Sequence, residues 1–299
     1  MNSCQVCKSD LDDYLKEVFD SETFDKFEIK VCRNCGLKQT FPQPKSLEKY
    51  YAEYHGKRHS FTESFRMNRR LSKLKLCKNA ENLLDIGCGN GSFLELASKK
   101  IGQIVGTEFN PPKVDFPVYQ SLSAVKNTYG KHHFDAITLW HSLEHFPDLN
   151  EVLNDICYLL KDDGLVFIAV PNSSGWQAKL FGMNWLHLDV PRHLFHFNPK
   201  SLAFCLQKYG FKIKNITHQE FEYDLLGWSQ SALNAMFKIP NIFFKTLMKK
   251  DVKIGKFALF LHFTSGIILS ALFLPISLSA SICGKGGTIV VSAEKYVER

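Results

Sequence analysis

Apolar positions along the chain change period several times, and each change marks an element. Phe27, Ile29 and Val31 alternate with polar neighbours, the period of a half-buried strand. The run Leu83–Ile86 enters a glycine-rich turn, GCGNG, and then the helical spacing of SFLELASKK, which Gly102 ends. QIVGTEF, FDAITLW (Phe134–Trp140) and GLVFIAVPN (Gly164–Asn172) read as further strands. Asp148 opens a helix with Leu149, Val152, Leu153, Ile156, Leu159 and Leu160 on one face, and Asn198-Pro199 caps another that Gly210 stops. FKIKNITHQE (Phe211–Glu220) and GGTIVVSAEK close the series as strands. Strands alternating with helices predict an α/β fold around a mostly parallel sheet.

The two last strands are separated by a segment far longer than a hairpin needs. Residues 225–256 carry six lysines (238, 245, 249, 250, 253 and 256) and one acid, Asp251, among apolar side chains. Residues 257–284 hold no Asp, Glu, Lys or Arg, a length sufficient to cross a bilayer. Both flanking strands belong to one sheet, so the segment must leave and return on the same side. It is therefore expected to lie in a membrane interface or to dip and turn back at Gly266 or Pro275, with the lysines at the headgroups. A buried dimer interface or a lid over the active site is the competing reading.

Charge and cysteines refine this picture. The 299 residues carry a formal charge of +7, which admits an anionic partner without choosing one. Residues 57–78 form a predicted helix with a basic face, bearing eight Lys or Arg and one acid, Glu63. The polar start MNSCQVCKSD lacks a secretory apolar core, which places the chain in the reducing cytoplasm. There, Cys4 and Cys7 in one CxxC, and Cys32 and Cys35 in another, point to metal rather than disulfides. Four thiolates suit a closed, structural zinc site, whose metal supplies folding energy that so short a module lacks.

Glycines 87, 89 and 91 let the backbone approach a ligand closely, and the following helix start offers N–H groups to an anionic end. Glu108 ends the next strand about 20 residues on, where nucleotide-binding folds place an acid for ribose hydroxyls. Taken with FDAITLWHSLEHF and GLVFIAVPN, DIGCGNG resembles class I S-adenosylmethionine-dependent methyltransferases over residues 80–220 and the last dozen. The resemblance implies a Rossmann-like seven-stranded sheet with a final antiparallel hairpin and S-adenosylmethionine as cofactor. It assigns cofactor roles to Asp85, Gly87, Gly89, Gly91 and Glu108, with Trp140 and His141 as candidates by position. The chain departs from the family after the third strand: PVYQSLSA offers only Gln120, Ser121 and Ser123, so the adenine contact is unassigned.

The segment NWLHLDVPRHLFHF (Asn184–Phe197) resembles an Asp-x-Pro-Arg-His stretch found in a branch rich in glycan- and lipid-biosynthesis methyltransferases. His193 is the favoured general base and Arg192 the group that holds a substrate phosphate or carboxylate, the alternative being that both pin the loop. The expected organisation is a zinc-ribbon-like module at 1–45, a basic helical lead-in at 46–80, a methyltransferase domain at 81–220 and 286–299, and a hydrophobic, basic insertion at 221–285. The expected function is methylation of a small-molecule, lipid-linked or nucleotide-linked glycan acceptor by an enzyme peripheral on the inner membrane face. Methylation of ribosomal or transfer RNA is the second reading, which leaves the uncharged stretch unexplained. A non-catalytic cofactor-binding scaffold is the third.

Overall fold

A computed structural model describes residues 3–51, 61–77 and 80–296. Lys57, Arg58 and Lys78 of the basic lead-in lie outside the described residues. The strands in chain order are β1 (Leu11–Phe19), β2 (Lys26–Cys32), β3 (Lys38–Phe41), β4 (Asn82–Ile86), β5 (Gln103–Thr107), β6 (Val118–Tyr119), β7 (Phe134–Trp140), β8 (Leu160–Pro171), β9 (Phe195–His196), β10 (Phe211–Thr217) and β11 (Thr288–Lys295). The helices are α1 (Glu48–Tyr51), α2 (Phe61–Lys73), α3 (Ser92–Ala97), α4 (Leu122–Tyr129), α5 (Leu149–Leu159), α6 (Trp176–Phe181), α7 (Pro199–Lys208), α8 (Phe221–Met236), α9 (Ile242–Leu247) and α10 (Lys256–Ile282). The chain divides into two compact units, one of residues 1–58, 171–201 and 217–289, the other of 59–170, 202–216 and 290–299.

The second unit is built on a seven-stranded sheet in the order β10-β11-β8-β7-β4-β5-β6. β4 pairs in parallel with β5 and β7, and β7 with β8. Such strands carry continuous apolar runs because both faces are covered, and Leu83, Leu84, Ile86, Ile137, Leu139, Val166 and Ile168 are fully buried. At the β10 edge the chain runs back against itself: Tyr296 N, just past β11, donates to Gly210 O, just before β10. Asp148 caps α5 by accepting from Asn150 N and Glu151 N, and the predicted apolar face of α5 is buried. The basic lead-in forms α2, whose Met67 and Leu71 join Phe93, Leu94 and Ala97 of α3 in one core cluster. On its basic side Arg70 is buried, and Arg66, Arg69 and Lys73 are half-buried.

The first unit gathers the N-terminal module, the loop after β8 and the insertion. β1, β2, β3 and β9 form an antiparallel sheet. Val18, Phe27 and Ile29 of that sheet pack with Tyr50, Ala178, Trp185, Leu188 and Val190. The module therefore shares its core with the 176–190 loop, which supplies apolar surface that a forty-residue ribbon lacks.

The insertion departs from the expected turn-back. α10 runs unbroken through Gly266 and Pro275, packed against α8 and α9. Gly266 is a close-approach point instead, since a Cβ there would sit 2.5 Å from the Phe243 ring. Trp228 of α8 stacks on Phe273 of α10 at 5.1 Å, and Ser270 Oγ lies 2.9 Å from Ser229 Oγ. The lysines also divide. Lys245 pairs with Glu22 at 2.5 Å, beside the β1–β2 turn, whereas Lys238, Lys249, Lys253 and Lys256 are exposed. Burial, then the charge of Arg192, pushes Lys250 below the ordinary lysine range, with Asp189 and Glu22 opposing.

Alanine in a helix is favoured over glycine by about 0.8–1 kcal/mol, but overlap with a packed ring costs about 1–3 kcal/mol. Gly266→Ala is therefore expected to destabilise the chain in urea unfolding. In a Phe243→Leu background, where the ring is gone, the same change should become neutral or stabilising. A stabilising Gly266→Ala in the wild-type background would contradict the close packing.

Candidate functional site

In the second unit the glycine turn follows β4 directly. Gly87 has φ +74°, and a Cβ there would lie 2.6 Å from Ser142 Cβ, while Ser142 Oγ donates to Ile86 O at 2.6 Å. The segment after β7 is thus locked against the turn. Gly89, at φ +57°, has nothing within 4 Å of the position a Cβ would take, so its backbone borders open space. Its N–H donates to Glu108 Oε2 at 2.8 Å, and Glu108 Oε1 accepts from Phe109 N at 2.9 Å. These bonds hold the carboxylate at the tip of β5 beside the turn. Gly91, also at positive φ, forms the N-cap of α3.

Asp85 is buried at the end of β4 and accepts from Thr138 Oγ1 at 2.5 Å. Burial pushes its carboxyl up to about 7, against the opposing effects of the Thr138 bond and the Arg70 charge. Arg70 lies over the Trp140 ring at 5.0 Å, and Phe93 meets that ring edge-on. Trp140 Nε1 is buried with no hydrogen-bond partner among the described residues. His141 adopts φ +56°, and its Nδ1 lies 3.7 Å from Glu144 Oε1 with both side chains largely buried. The uncovered Gly89 backbone, the anchored Glu108, an orphaned indole N–H and a carboxyl raised by burial fit a polar, partly cationic ligand. Asp85, Gly87, Gly89, Gly91, Glu108, Trp140 and His141 are the residues that could hold it. Arg70 was missed by sequence reasoning because a basic helix face reads as solvated. After β6, Ser121 Oγ caps α4 by accepting from Ala124 N, and Gln120 and Ser123 are exposed.

In the first unit the sulfurs of Cys4, Cys7, Cys32 and Cys35 all lie within 4.8 Å of one another. Cys4 Sγ is 3.7 Å from Cys35 Sγ, and Cys7 Sγ 3.3 Å from Cys32 Sγ. Four sulfurs at the Zn–S distance of about 2.3 Å stand about 3.8 Å apart, so the cluster suits a tetrahedral ion. Each CxxC forms a turn, with Lys8 N donating to Cys4 O and Gly36 N to Cys32 O.

The loop ending at β9 keeps its charged groups occupied. Arg192 Nε lies 3.0 and 3.1 Å from the two Asp189 carboxylate oxygens, Nη1 donates to Tyr50 O, and Nη2 meets Asp20 at 3.2 Å. Arg192 and Asp20 are buried, and these contacts hold the loop. His193 Nδ1 is 2.9 Å from His187 O, and a carbonyl can only accept, so Nδ1 carries a proton, while Nε2 lies 3.9 Å from Asp189 Oδ2.

Residues 54–216, more than half of the chain, match the family model described as a methyltransferase domain. The chain belongs to that family. It is an S-adenosylmethionine-dependent methyltransferase. Curated relatives include the ubiquinone biosynthesis O-methyltransferase of Xanthomonas axonopodis pv. citri, 25% identical over 158 residues, covering 47% of this chain and 66% of that protein. The enzyme of the same name from Salmonella paratyphi A is 28% identical over 126 residues, covering 38% and 52%. The methyltransferase thus matches only about half to two-thirds of these relatives' length. Among solved structures, the [4+2]-cyclase SpnF aligns with a TM-score of 0.50 at 15% identity, covering 84% of this chain and 93% of that one. Haemonchus contortus phosphoethanolamine N-methyltransferase 2, in complex with S-adenosyl-L-methionine, aligns at 0.50 and 17%, covering 86% and 62%. These likenesses show the Rossmann-like fold.

Asp85 gives this site a pH signature. In the unfolded chain its carboxyl ionises near 3.8, but in the folded chain it keeps its proton until about 7. Its stability contribution is therefore fully present below pH 3.8 and is lost as pH rises to about 7, by about 4 kcal/mol at most. Above that it stays level. Urea unfolding of the cofactor-free chain from pH 4 to 8 should show wild type losing stability relative to Asp85→Asn across this window. Parallel curves would remove the assignment.

Proposed function

We propose that this methyltransferase methylates a hydroxyl oxygen of a small-molecule acceptor presented at a membrane surface, such as a lipid-linked or nucleotide-linked glycan precursor. The observation that carries the reading is the reversed polarity of α10. A helix in a soluble unit buries its apolar stripe and exposes its polar one. Here the buried positions are His262, Gly266, Ser277 and Ala280, whereas Phe257, Phe260, Ile268, Leu272 and Ile282 are exposed, from 59% at Ile268 to 87% at Ile282. Small and polar residues inside with large apolar ones outside is the arrangement of helices packed in lipid. Only 11% of the most apolar 18-residue stretch is buried. Lys249, Lys253 and Lys256 are exposed at the amino end of α10, suited to anionic headgroups. The Lys245–Glu22 pair and the Asn241–Ser21 contact tie α9 to the β1–β2 turn, which favours a helix lying in the interface over one crossing it.

Oxygen is the favoured acceptor atom because the curated relatives are O-methyltransferases of ubiquinone biosynthesis. The bound cofactor supplies an electrophilic methyl group on a cationic sulfur. His193, through Nε2, would take the proton of the acceptor hydroxyl when that methyl group is transferred. Arg192 acts as a positioning residue that holds His193's loop through Asp189 and Asp20. In the second unit, Gly89, Glu108, Trp140 and His141 bind the cofactor, with Asp85 and Arg70 at its charged end. The four cysteines hold structural zinc, and the protein works at the cytoplasmic face.

Flotation with vesicles containing anionic lipid tests the reading. The wild-type chain is expected to float, less so in high salt, and the Phe257, Phe260, Ile268 and Leu272→Gln variant to bind at least about tenfold more weakly. Wild-type protein that stays with the soluble fraction sinks the membrane assignment. His193→Gln should lower methyl incorporation into a lipid extract by about 10²-fold or more while cofactor affinity holds; an unchanged rate would remove His193 as base.

A further inference from the structure

We propose that Thr40 is a positioning residue through which the four-thiolate module sets the proton placement of the His193–His196 segment. The functional weight of this rests on that segment being the acceptor side. β3 begins three residues after Cys35 and carries Thr40, which is fully buried. Across the β3–β9 ladder Lys38 pairs with His196 and Gln39 with Phe195, and Thr40 N donates to Leu194 O at 3.0 Å. The Thr40 hydroxyl lies 2.7 Å from His193 O and 3.0 Å from His196 Nε2.

A hydroxyl has one proton. The His193 carbonyl can only accept, so it takes that proton, and the hydroxyl oxygen must accept from His196. His196 Nε2 therefore carries hydrogen, and the neutral ring holds its lone pair on Nδ1. His193 donates from the opposite nitrogen, Nδ1, to His187 O. Two rings 6.5 Å apart are thus given complementary proton placements, one of them by a residue of the module. Reversing His196 would set two acceptors against one hydroxyl proton and leave a buried group unsatisfied.

The same module grips the segment further along. Asn198 Nδ2 donates to Gly36 O at 2.8 Å and Lys200 Nζ to Asn34 O at 3.1 Å, both on the Cys32–Cys35 turn. Lys38 Nζ donates to Ser173 O at 3.0 Å. The turn that presents two thiolates is therefore also the anchor of the strand that orients the histidines. Holding the thiolates together holds Thr40 in register.

The test is two-bond ¹H–¹⁵N spectroscopy of the imidazoles in full-length, metal-loaded protein at alkaline pH, combined with amide exchange and cofactor calorimetry. Wild type should show His196 as the Nε2–H tautomer and His193 as the Nδ1–H tautomer. Thr40→Ser should preserve both. Thr40→Val, which keeps the shape and removes the hydroxyl, should move His196 to a tautomeric mixture and speed exchange across 193–197 about tenfold, with cofactor affinity held within about twofold. Stripping metal with a chelator should reproduce that exchange pattern. An Nδ1–H His196 in wild type overturns the proposal even if Thr40→Val does not fold. Unchanged tautomer and protection in Thr40→Val, or in the metal-stripped protein, overturns it equally. Should His193→Gln instead leave methyl transfer intact with both wild-type tautomers as assigned, the base assignment fails and the Thr40 link stands.

Discussion

The first unit depends on one constraint: a ribbon of about forty residues cannot bury enough apolar surface to hold a single geometry. Two devices answer it. Cys4, Cys7, Cys32 and Cys35 converge at distances that suit one metal ion, and β3 borrows β9 as a fourth strand. Because β9 is only Phe195–His196, the borrowed edge lies within the Asp-x-Pro-Arg-His loop itself. The buried Arg192, gripping Asp189, Asp20 and the Tyr50 carbonyl, closes the arrangement from the other side. Removing one member of such a cluster leaves an uncompensated buried charge, at a cost of about 3–5 kcal/mol. A loop fixed at one end by pairing with the cysteine-bearing sheet and at the other by an ion cluster can keep its histidines in set orientations, which loose loops cannot do.

What the sequence made legible was local. The strand–glycine turn–helix around Gly87, the α5 face with its Asp148 cap and the paired cysteines each announce themselves within twenty residues, because propensity, capping and ligand spacing act at short range. The computed structural model shows the sheet that these signals predicted. What escaped was non-local. A two-residue strand has no periodicity to detect, so the β3–β9 pairing was invisible. Arg70 sits in a run that reads as a solvated basic face, and only its packing over Trp140 reveals it as buried. Lys245 and Lys250 looked like headgroup ligands by composition, yet Lys245 pairs with Glu22, an acid supplied by a distant segment, and Lys250 is half-buried.

The insertion illustrates why composition and direction are separate observations. An uncharged stretch of this length fits a core helix, a partner interface or a lipid surface equally well, and glycine and proline within it suggest a turn. In the structure the small residue is a packing contact against Phe243, and the proline is accommodated within a continuous helix. Ser270 faces the protein, and Phe273 stacks on Trp228, while Phe257, Phe260, Ile268, Leu272 and Ile282 face out. The tie of α9 to the β1–β2 turn at the amino end and the bond from Ser281 Oγ to His218 O at the carboxyl end hold the helix to one unit, and a helix so held presents its length rather than its tip. A membrane reading follows from that orientation, not from hydropathy.

The two units meet opposite electrostatic demands. In the first, the buried Arg192 is matched by Asp189 and Asp20. In the second, mismatch is retained: Asp85 is held up to about 7 by burial, and Trp140 Nε1 has no hydrogen-bond partner among the described residues. Such groups destabilise an empty site, and the natural explanation is that they are complementary to something that binds. A carboxyl that burial keeps protonated gains most from a cationic neighbour, since ionising beside a positive charge recovers what desolvation removed. S-adenosylmethionine is cationic at its sulfur and at its amino group, so the strain stored at the end of β4 is of the sign that this cofactor relieves. A neutral ligand would leave it in place.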